Sequence, residues 1–144
     1  MIGFVVALLL SVQCGHAAYY NEGIMEWVVA VRQANQGWEH SLPQDLPPVV
    51  GFVAVPECER IGKLVAIWHQ PDGWCGPYLV ADCANRLEGH DEQMRRKGIV
   101  VEVDYNTATR WGVIGFGPEY IDVVVIEWDT LRSLWREGRP ASHP

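Results

Sequence analysis

A carboxylic acid and a thiol stand side by side at the end of one apolar segment of the sequence. Asp82 and Cys83 close the run YLVADC, which begins at Tyr78. A carboxyl group in an apolar setting resists ionisation, so it can act as a general acid near neutral pH. Asp82 is therefore the candidate catalytic residue. The alternative is that it caps a turn or pairs with a cation, as an aspartate at a strand end often does.

The cysteines indicate a disulfide. Cys58, Cys75 and Cys83 follow the N-terminal segment, and three thiols allow three different single disulfides, each of which leaves one cysteine unpaired. Cys58 precedes the predicted strand IGKLVAIW and Cys83 ends YLVADC, so adjacent strand ends would bring their Cα atoms within bridging distance. We favour Cys58–Cys83, with Cys75 free and exposed in the turn PDGWCGP; the alternative is three reduced cysteines. The spacing of cysteines and histidines fits no known zinc finger, so no metal is expected.

The first residues are typical of a targeting segment. The run from Phe4 to Val12 is apolar but too short to span a bilayer as a helix. Small residues at Gly15 and Ala17 fit cleavage after Ala17. We therefore predict a signal peptide over residues 1–17, a secreted domain over residues 18–144 and no stable membrane span after cleavage. The alternative is an uncleaved anchor or a lipoprotein that carries its lipid on Cys14.

Length and charge narrow the class of protein. A chain of 144 residues is long enough for one domain with a substantial core. The net charge of -7 argues against a nucleic-acid partner, because neutralising phosphates requires clustered lysine and arginine. No glycine-rich phosphate loop with a lysine is present, so no nucleotide is indicated. We expect a monomer without a cofactor.

Short runs rich in valine and isoleucine, separated by turn residues, predict β-strands. Five such runs begin at Val49, Ile61, Tyr78, Ile99 and Ile121. Helices are predicted over 24–33, 91–97 and 105–111 and around Leu131, with Asp104 and Asp129 as the N-caps of the last two. Many short strands with few short helices favour a small β-barrel over a doubly wound sheet.

The order of these segments resembles the six-stranded double-psi β-barrel of the RlpA-like, barwin and expansin family. IGKLVAI is similar to the family's strand after a glycine, LVADCA to its V-x-D-R-G-P strand end, and VVEVDYNTATRWGVIGFGPEYIDVVVIE to its I-D-L-S-x-A-A-x-x-L-G stretch and closing strand. YYNEG, from Tyr19, resembles its opening A-S-Y-Y-G. The resemblance covers about residues 18–127 except 36–48. It implies a mainly β fold, a six-stranded double-psi β-barrel with a few short helices.

The resemblance also implies an activity, the cleavage of peptidoglycan or another cell-wall polysaccharide by lytic transglycosylation. Asp82 matches the family's catalytic or sugar-facing aspartate; it would protonate the glycosidic oxygen and then act as the base for an internal hydroxyl. Glu102 falls where the family often has an aspartate and is a candidate substrate-binding residue. Aromatic rings can stack on sugars, so the other substrate-binding candidates are Trp68, Trp74 and Tyr78. Trp27 is interpreted as a packing residue.

Two differences from the family pattern leave other functions open. The chain reads Cys83-Ala84-Asn85 where the family has Arg-Gly-Pro, and Val55-Pro56-Glu57-Cys58 where the family often has a histidine before its second strand. The alternatives to catalysis are a non-catalytic, expansin-like polysaccharide-binding barrel and a secreted protein-binding barrel. The fold alone does not choose among them, because one fold hosts many functions.

Overall fold

The computed structural model describes residues 12–34, 39–84, 87–115 and 121–138. Within these ranges the chain forms six strands and four α-helices. The strands are β1 (Val12–Tyr19), β2 (Gly51–Val55), β3 (Leu64–His69), β4 (Gly73–Cys83), β5 (Ile99–Val103) and β6 (Ile121–Glu127). The helices are α1 (Ile24–Ala34), α2 (His90–Arg96), α3 (Tyr105–Arg110) and α4 (Trp128–Glu137), and a 3-10 helix, Cys58–Arg60, lies between β2 and β3.

The six strands close into one barrel in the order β1-β5-β2-β4-β3-β6. Two neighbouring pairs, β1 with β5 and β2 with β4, run parallel, and the other four pairs run antiparallel. Exchanging β1–β3 with β4–β6 leaves this pattern of neighbours and directions unchanged, so the barrel consists of two interlocked halves of equivalent topology. The predicted fold class, a mainly β, six-stranded double-psi barrel with a few short helices, is confirmed.

Alternate residues of the strands fill the barrel, as the two-residue period of a strand requires. The interior is built mostly from valines, because branched side chains pack well on a pleated surface. Fully buried members of this cluster are Ala17, Val53, Val55, Val65, Ile67, Tyr78, Val80, Val101, Val103, Ala108 and Val125. All six strands contribute to the cluster, so the loss of any one strand would open the core.

Three helices cover the outside of the barrel. Helix α1 packs Met25 and Val29 against the outward-facing Ala54 of β2 and Leu79 of β4. Helix α4 packs Leu131 on β3 and β6, and helix α2 packs Met94 beside Ile99 of β5. Because these helices cover only parts of the outer surface, they leave an open cleft between α1 and α2.

Asp104 joins β5 to α3 as predicted. One of its carboxylate oxygens accepts a hydrogen bond from the backbone N–H of Thr107 at 2.8 Å, which caps the helix. The other accepts from the backbone N–H of Phe52 at 2.8 Å, so the same side chain also ties α3 to β2. Gly51 passes so close that a Cβ atom there would lie 2.5 Å from Asp104 Oδ2, which explains the absence of a side chain at this position.

Several element boundaries differ from the sequence-based prediction by one to three residues, and two further differences change the interpretation of a residue. Strand β4 begins at Gly73 and not at Tyr78, because Trp74 pairs with Trp68 in a hairpin that continues β3. Helix α4 begins at Trp128, directly after β6, so the prediction that Asp129 is the N-cap is wrong. Asp129 instead lies in the first turn, where its negative charge interacts favourably with the helix dipole.

Strand β1 overlaps the predicted signal peptide. Residues 1–11 lie outside the described residues, but Val12 to Ala17 form six of the eight residues of β1. This strand pairs with β6 on one side and β5 on the other, and Ala17 is part of the barrel core. Cleavage after Ala17 stays a prediction. Residues 12–17, which precede that bond, form part of the barrel wall.

The Cys58–Cys83 disulfide is present, as predicted. It joins the 3-10 helix to the end of β4, with a Cα–Cα distance of 4.9 Å and a sequence separation of 25. Cys14 and Cys75 are free thiols. Cys75 lies within β4 and packs against the core, so the prediction of an exposed thiol in a turn is wrong; the longer hairpin has drawn it into the sheet.

Candidate functional site

The two acidic candidates face each other across a single alanine. Asp82 of β4 is paired with Ala54 of β2, and Glu102 of β5 is paired with the same Ala54 on its other side. Directly paired residues of neighbouring strands point to the same face of a sheet. Two strand spacings separate the two backbones, about 10 Å. Ala54 itself is buried against α1, whereas Asp82 and Glu102 both line one open space beside that helix.

That space is a cleft of about 990 Å³. Helix α1 contributes one wall with Trp27 and Arg32, and the segment around α2 contributes the opposite wall with Leu87 and His90. The barrel contributes both carboxylates and the Cys58–Cys83 disulfide. A cleft with an apolar rim and a few convergent polar groups is the usual form of a small-ligand or catalytic site.

Asp82 is held by two donors from different elements. Arg32 of α1 pairs with its Oδ1 at 2.6 Å, and the hydroxyl of Tyr20, just after β1, donates to its Oδ2 at 2.7 Å. Charge-assisted hydrogen bonds of this kind are among the strongest in proteins. The carboxylate is therefore fixed in position, and each of its oxygens has a partner.

Glu102 has the opposite environment. Burial raises the pKa of its carboxyl, and the negative charge of Asp82 raises it further, while His90 opposes the change. Burial disfavours the charged form, and a neighbouring carboxylate of like charge does the same. Glu102 therefore keeps a proton at a pH at which an exposed glutamate would lose it.

Tyr20 remains a proton donor throughout the physiological range. Burial raises the pKa of its hydroxyl far above the usual value, and the nearby Asp82 carboxylate raises it further. Its hydroxyl is therefore able to donate to Asp82 at physiological pH. Asp82 and Glu102 line the same cleft in contrasting environments, an arrangement that can support general acid–base catalysis.

The predicted aromatic substrate-binding residues lie elsewhere. Trp68 and Trp74 pair with each other near the turn of the β3–β4 hairpin, and Trp74 packs against the cluster of Ala66, Ile126 and Leu131. Asp82 lies eight positions after Trp74 in β4, which is about 26 Å of extended strand. Neither tryptophan lines the cleft that holds Asp82, because the strand that carries Trp74 and Asp82 runs along the barrel.

Tyr78 is inside the barrel. Its side chain is 0 % exposed, and burial raises the pKa of its hydroxyl to about 12. The hydroxyl donates to Cys75 Sγ at 3.7 Å and accepts from Arg110 at 3.2 Å. A sugar cannot reach this ring, so the placement corrects the prediction that Tyr78 binds substrate. Of the four predicted substrate-binding residues, Glu102 alone lines the cleft.

Three residues that line the cleft, Tyr20, Trp27 and Arg32, were not predicted from the sequence to be functional. For Trp27 and Arg32, the pattern of helix α1 could have indicated this. In α1 the buried residues are Met25, Val28, Val29 and Arg32. Their spacing marks one helix face, so an arginine on that face required a buried anion, which is Asp82. Trp27 falls off this face, and its side chain is 63 % exposed at the edge of the cleft, so its interpretation as a packing residue is wrong. Tyr20 precedes α1, so no helix-face pattern indicates its role.

The described residues contain no group of three or more acidic, histidine or cysteine side chains placed to hold a metal ion. In that same part of the chain, no helix has the length and apolar character needed to cross a bilayer. Comparison with known proteins finds no matching protein family, no similar curated protein and no similar solved structure.

Proposed function

We propose that the protein is a secreted enzyme that cleaves cell-wall glycan strands such as peptidoglycan by acid–base catalysis of the lytic transglycosylase type. The observation that carries the proposal is the pairing of Asp82 and Glu102 across Ala54 inside an open cleft. The Cys58–Cys83 disulfide supports the secreted location, since disulfides persist in oxidising compartments.

The reaction needs one group that first gives a proton and then takes one. A carboxylic acid of the pair protonates the glycosidic oxygen as the bond from C1 of the sugar to that oxygen breaks. The resulting carboxylate then accepts the proton of a hydroxyl of the same sugar as that hydroxyl attacks C1, which forms an anhydro ring without water. One proton-carrying carboxyl suffices, and the second, ionised carboxylate stabilises the positive charge that develops at C1.

The test is incubation of the purified protein with peptidoglycan, followed by mass spectrometry for anhydro-sugar ends. We expect such products from the wild type and a loss of about 100-fold or more from Asp82→Asn and Glu102→Gln, the usual effect of removing a general acid or base. Asp45→Asn, an exposed carboxylate outside the cleft, is the matched control. Absence of anhydro products from the wild type, or equal yields from the cleft variants, would refute the proposal.

A second candidate function is polysaccharide binding without catalysis. The exposed ring of Trp27 at the cleft edge favours it, because an aromatic face beside a groove suits stacking on a sugar ring. The bonds from Tyr20 and Arg32 to Asp82 are equally compatible with a rigid binding surface. This alternative predicts retention on insoluble polysaccharide without any anhydro products.

A further inference from the structure

Arg32 is a buried cation that links two sides of the cleft. The residue is 5 % exposed, and one terminal nitrogen of its guanidinium pairs with Asp82 at 2.6 Å. The other terminal nitrogen donates to the backbone carbonyl of His40 at 3.3 Å and lies 3.5 Å from that of Glu39. The planar fork of an arginine can bond on two sides at once, which the ammonium of a lysine does less well. Arg32 therefore joins the barrel wall at Asp82 to the backbone of residues 39 and 40.

Residues 39–44, here called the strap, lie along the end of α1. The backbone N–H of Leu42 donates to the carbonyl of Arg32 at 3.0 Å, and the side chain of Gln33 donates to the carbonyls of the two residues after Leu42, each at 3.1 Å. Leu42 is 4 % exposed and packs into the apolar layer between α1 and the barrel. The second half of the strap is thus fixed by contacts outside the cleft.

The first half of the strap is attached differently. Glu39 and His40 both line the cleft, and among the described residues Arg32 is the hydrogen-bond donor to their backbone. His40 has a φ of 63°, in the left-handed region that residues with a side chain rarely occupy. Such a conformation persists where surrounding contacts hold it, and it recurs at ligand-binding sites. The contact that holds it here is itself anchored on a carboxylate of the cleft, that of Asp82.

We infer that Arg32 is a positioning residue: by bonding Asp82 and the first half of the strap at once, it sets residues 39 and 40 as a wall of the cleft. The position of this wall then depends on Asp82. The side chains of Glu39 and His40 become specificity determinants at that end of the cleft. The meaning of this arrangement for catalysis rests on the proposed function, whereas the positioning itself does not.

The test is limited proteolysis with a glutamate-specific protease, which needs no substrate of the protein. Cleavage after Glu39 requires the first half of the strap to leave its place, so the rate follows the population of the released strap. Cleavage after Glu137, an exposed residue at the end of α4, reports on the rest of the fold. Mass spectrometry distinguishes the two cleavages. In the wild type we expect cleavage after Glu39 to be slow.

Arg32→Lys keeps a cation for Asp82 but loses the fork that reaches the strap. We expect cleavage after Glu39 to become about ten-fold faster, the effect of losing hydrogen bonds from the folded state, and cleavage after Glu137 to stay unchanged. Asp82→Asn should accelerate cleavage after Glu39 similarly. The double variant should be about as fast as either single one, because both changes break the same link.

Tyr20→Phe is the matched control. It removes the other donor of Asp82 without touching the strap, so cleavage after Glu39 should keep the wild-type rate. Asp82→Asn leaves a buried cation without its partner and can unfold the protein; cleavage after Glu137 then rises too, and Arg32→Lys decides alone. The inference is overturned if Arg32→Lys keeps the wild-type rate after Glu39, if Tyr20→Phe accelerates it equally, or if the two single changes add in a folded double variant.

The outcomes for the two proposals are separable. A protein whose strap responds as expected but which yields no anhydro products contradicts the proposed function and supports the positioning. A protein that yields such products but whose strap does not respond supports the function and contradicts the positioning. In a protein that passes both tests, Arg32→Lys should raise the KM for peptidoglycan by a larger factor than it lowers kcat, because Asp82 keeps a cation while the wall is released. A loss confined to kcat would contradict the positioning role.

Discussion

Asp82 and Glu102 are both paired with Ala54, one from each neighbouring strand, and this shared partner is what makes them a pair. They are 20 positions apart in the sequence and lie on strands that are not neighbours in the barrel. Because β2 enters between β4 and β5, the two side chains emerge on the same face. Their partners differ: Asp82 pairs with Arg32, whereas burial and the charge of Asp82 raise the pKa of Glu102.

The raised pKa of Glu102 in the folded state should make the free energy of unfolding depend on pH. Burial and Asp82 raise its pKa in the folded state above the unfolded value of about 4.3. Between those two pKa values the folded state binds more protons, so its stability is full below about pH 4.3 and falls as pH rises through the folded pKa. Glu102→Gln should abolish this loss. The free energy of unfolding of Glu102→Gln, relative to the wild type, should therefore increase with pH between the unfolded and folded pKa values of Glu102, and level off above the folded pKa.

Urea denaturation at a series of pH values measures this difference for Glu102→Gln. The matched control is Glu137→Gln, an exposed glutamate at the end of α4. A free-energy difference between Glu102→Gln and the wild type that stays constant with pH would show that Glu102 titrates as an ordinary surface group.

Asp104 should be critical for folding. Asp104→Ala removes the cap of α3 and leaves the partly buried N–H of Phe52 without its acceptor. We expect a loss of about 3 kcal/mol in the free energy of unfolding, the sum of a lost cap and an unsatisfied buried donor. Asp129→Ala, also at a helix start but exposed, should cost less than about 0.5 kcal/mol. Similar losses from both variants in chemical denaturation would contradict the capping role.

The disulfide should stabilise the protein substantially. Closing a loop of 25 residues restricts the unfolded chain and contributes about 3 kcal/mol in the chain-entropy description. The double variant Cys58→Ser with Cys83→Ser should lose about that amount in denaturation experiments, and dithiothreitol should have the same effect on the wild type. Cys14→Ser, which replaces an exposed free thiol, is the control. A wild type insensitive to complete reduction would contradict the prediction.

Trp27, rather than Trp74, should contribute to ligand binding. Trp27→Ala removes an exposed ring at the cleft and should weaken retention on insoluble polysaccharide about five-fold, which corresponds to about 1 kcal/mol of stacking. Trp135→Ala, which removes a 52 % exposed ring from α4 outside the cleft, should leave retention unchanged. Equal weakening by both variants, or weakening by Trp74→Ala alone, would place the binding surface elsewhere.

Strand β1 should be indispensable. A chain lacking residues 1–17 loses six of the eight residues of β1 and, with them, the hydrogen-bonded partners of β5 and β6. We expect it to lose cooperative thermal unfolding, whereas a chain lacking residues 1–11 keeps it. Measuring the intact mass of the secreted protein then shows at which residue the secreted chain begins. A folded, secreted chain that begins at Ala18 would contradict the requirement for this strand.

Much of the fold was predictable because its signals are local. The valine-rich runs and the helix after Asp104 reflect the preferences of adjacent residues, and the structure contains each of these elements. The Cys58–Cys83 bridge followed from the expectation that two strand ends lie together. Strand β1 was not predicted, because a short apolar segment with small residues is typical of a signal peptide as well as of a barrel strand.

Short-range patterns in the sequence are enough to predict a small β-barrel with a disulfide, because strand period, turn residues and helix caps act over a few positions. Which distant side chains meet depends on the tertiary structure. It placed Asp82 beside Arg32 and opposite Glu102, buried Tyr78 and moved Trp68 and Trp74 away from the cleft. The physical reason is that strand order and register in a closed barrel depend on packing of the whole chain, and a carboxyl's charge depends on the neighbours that this packing supplies.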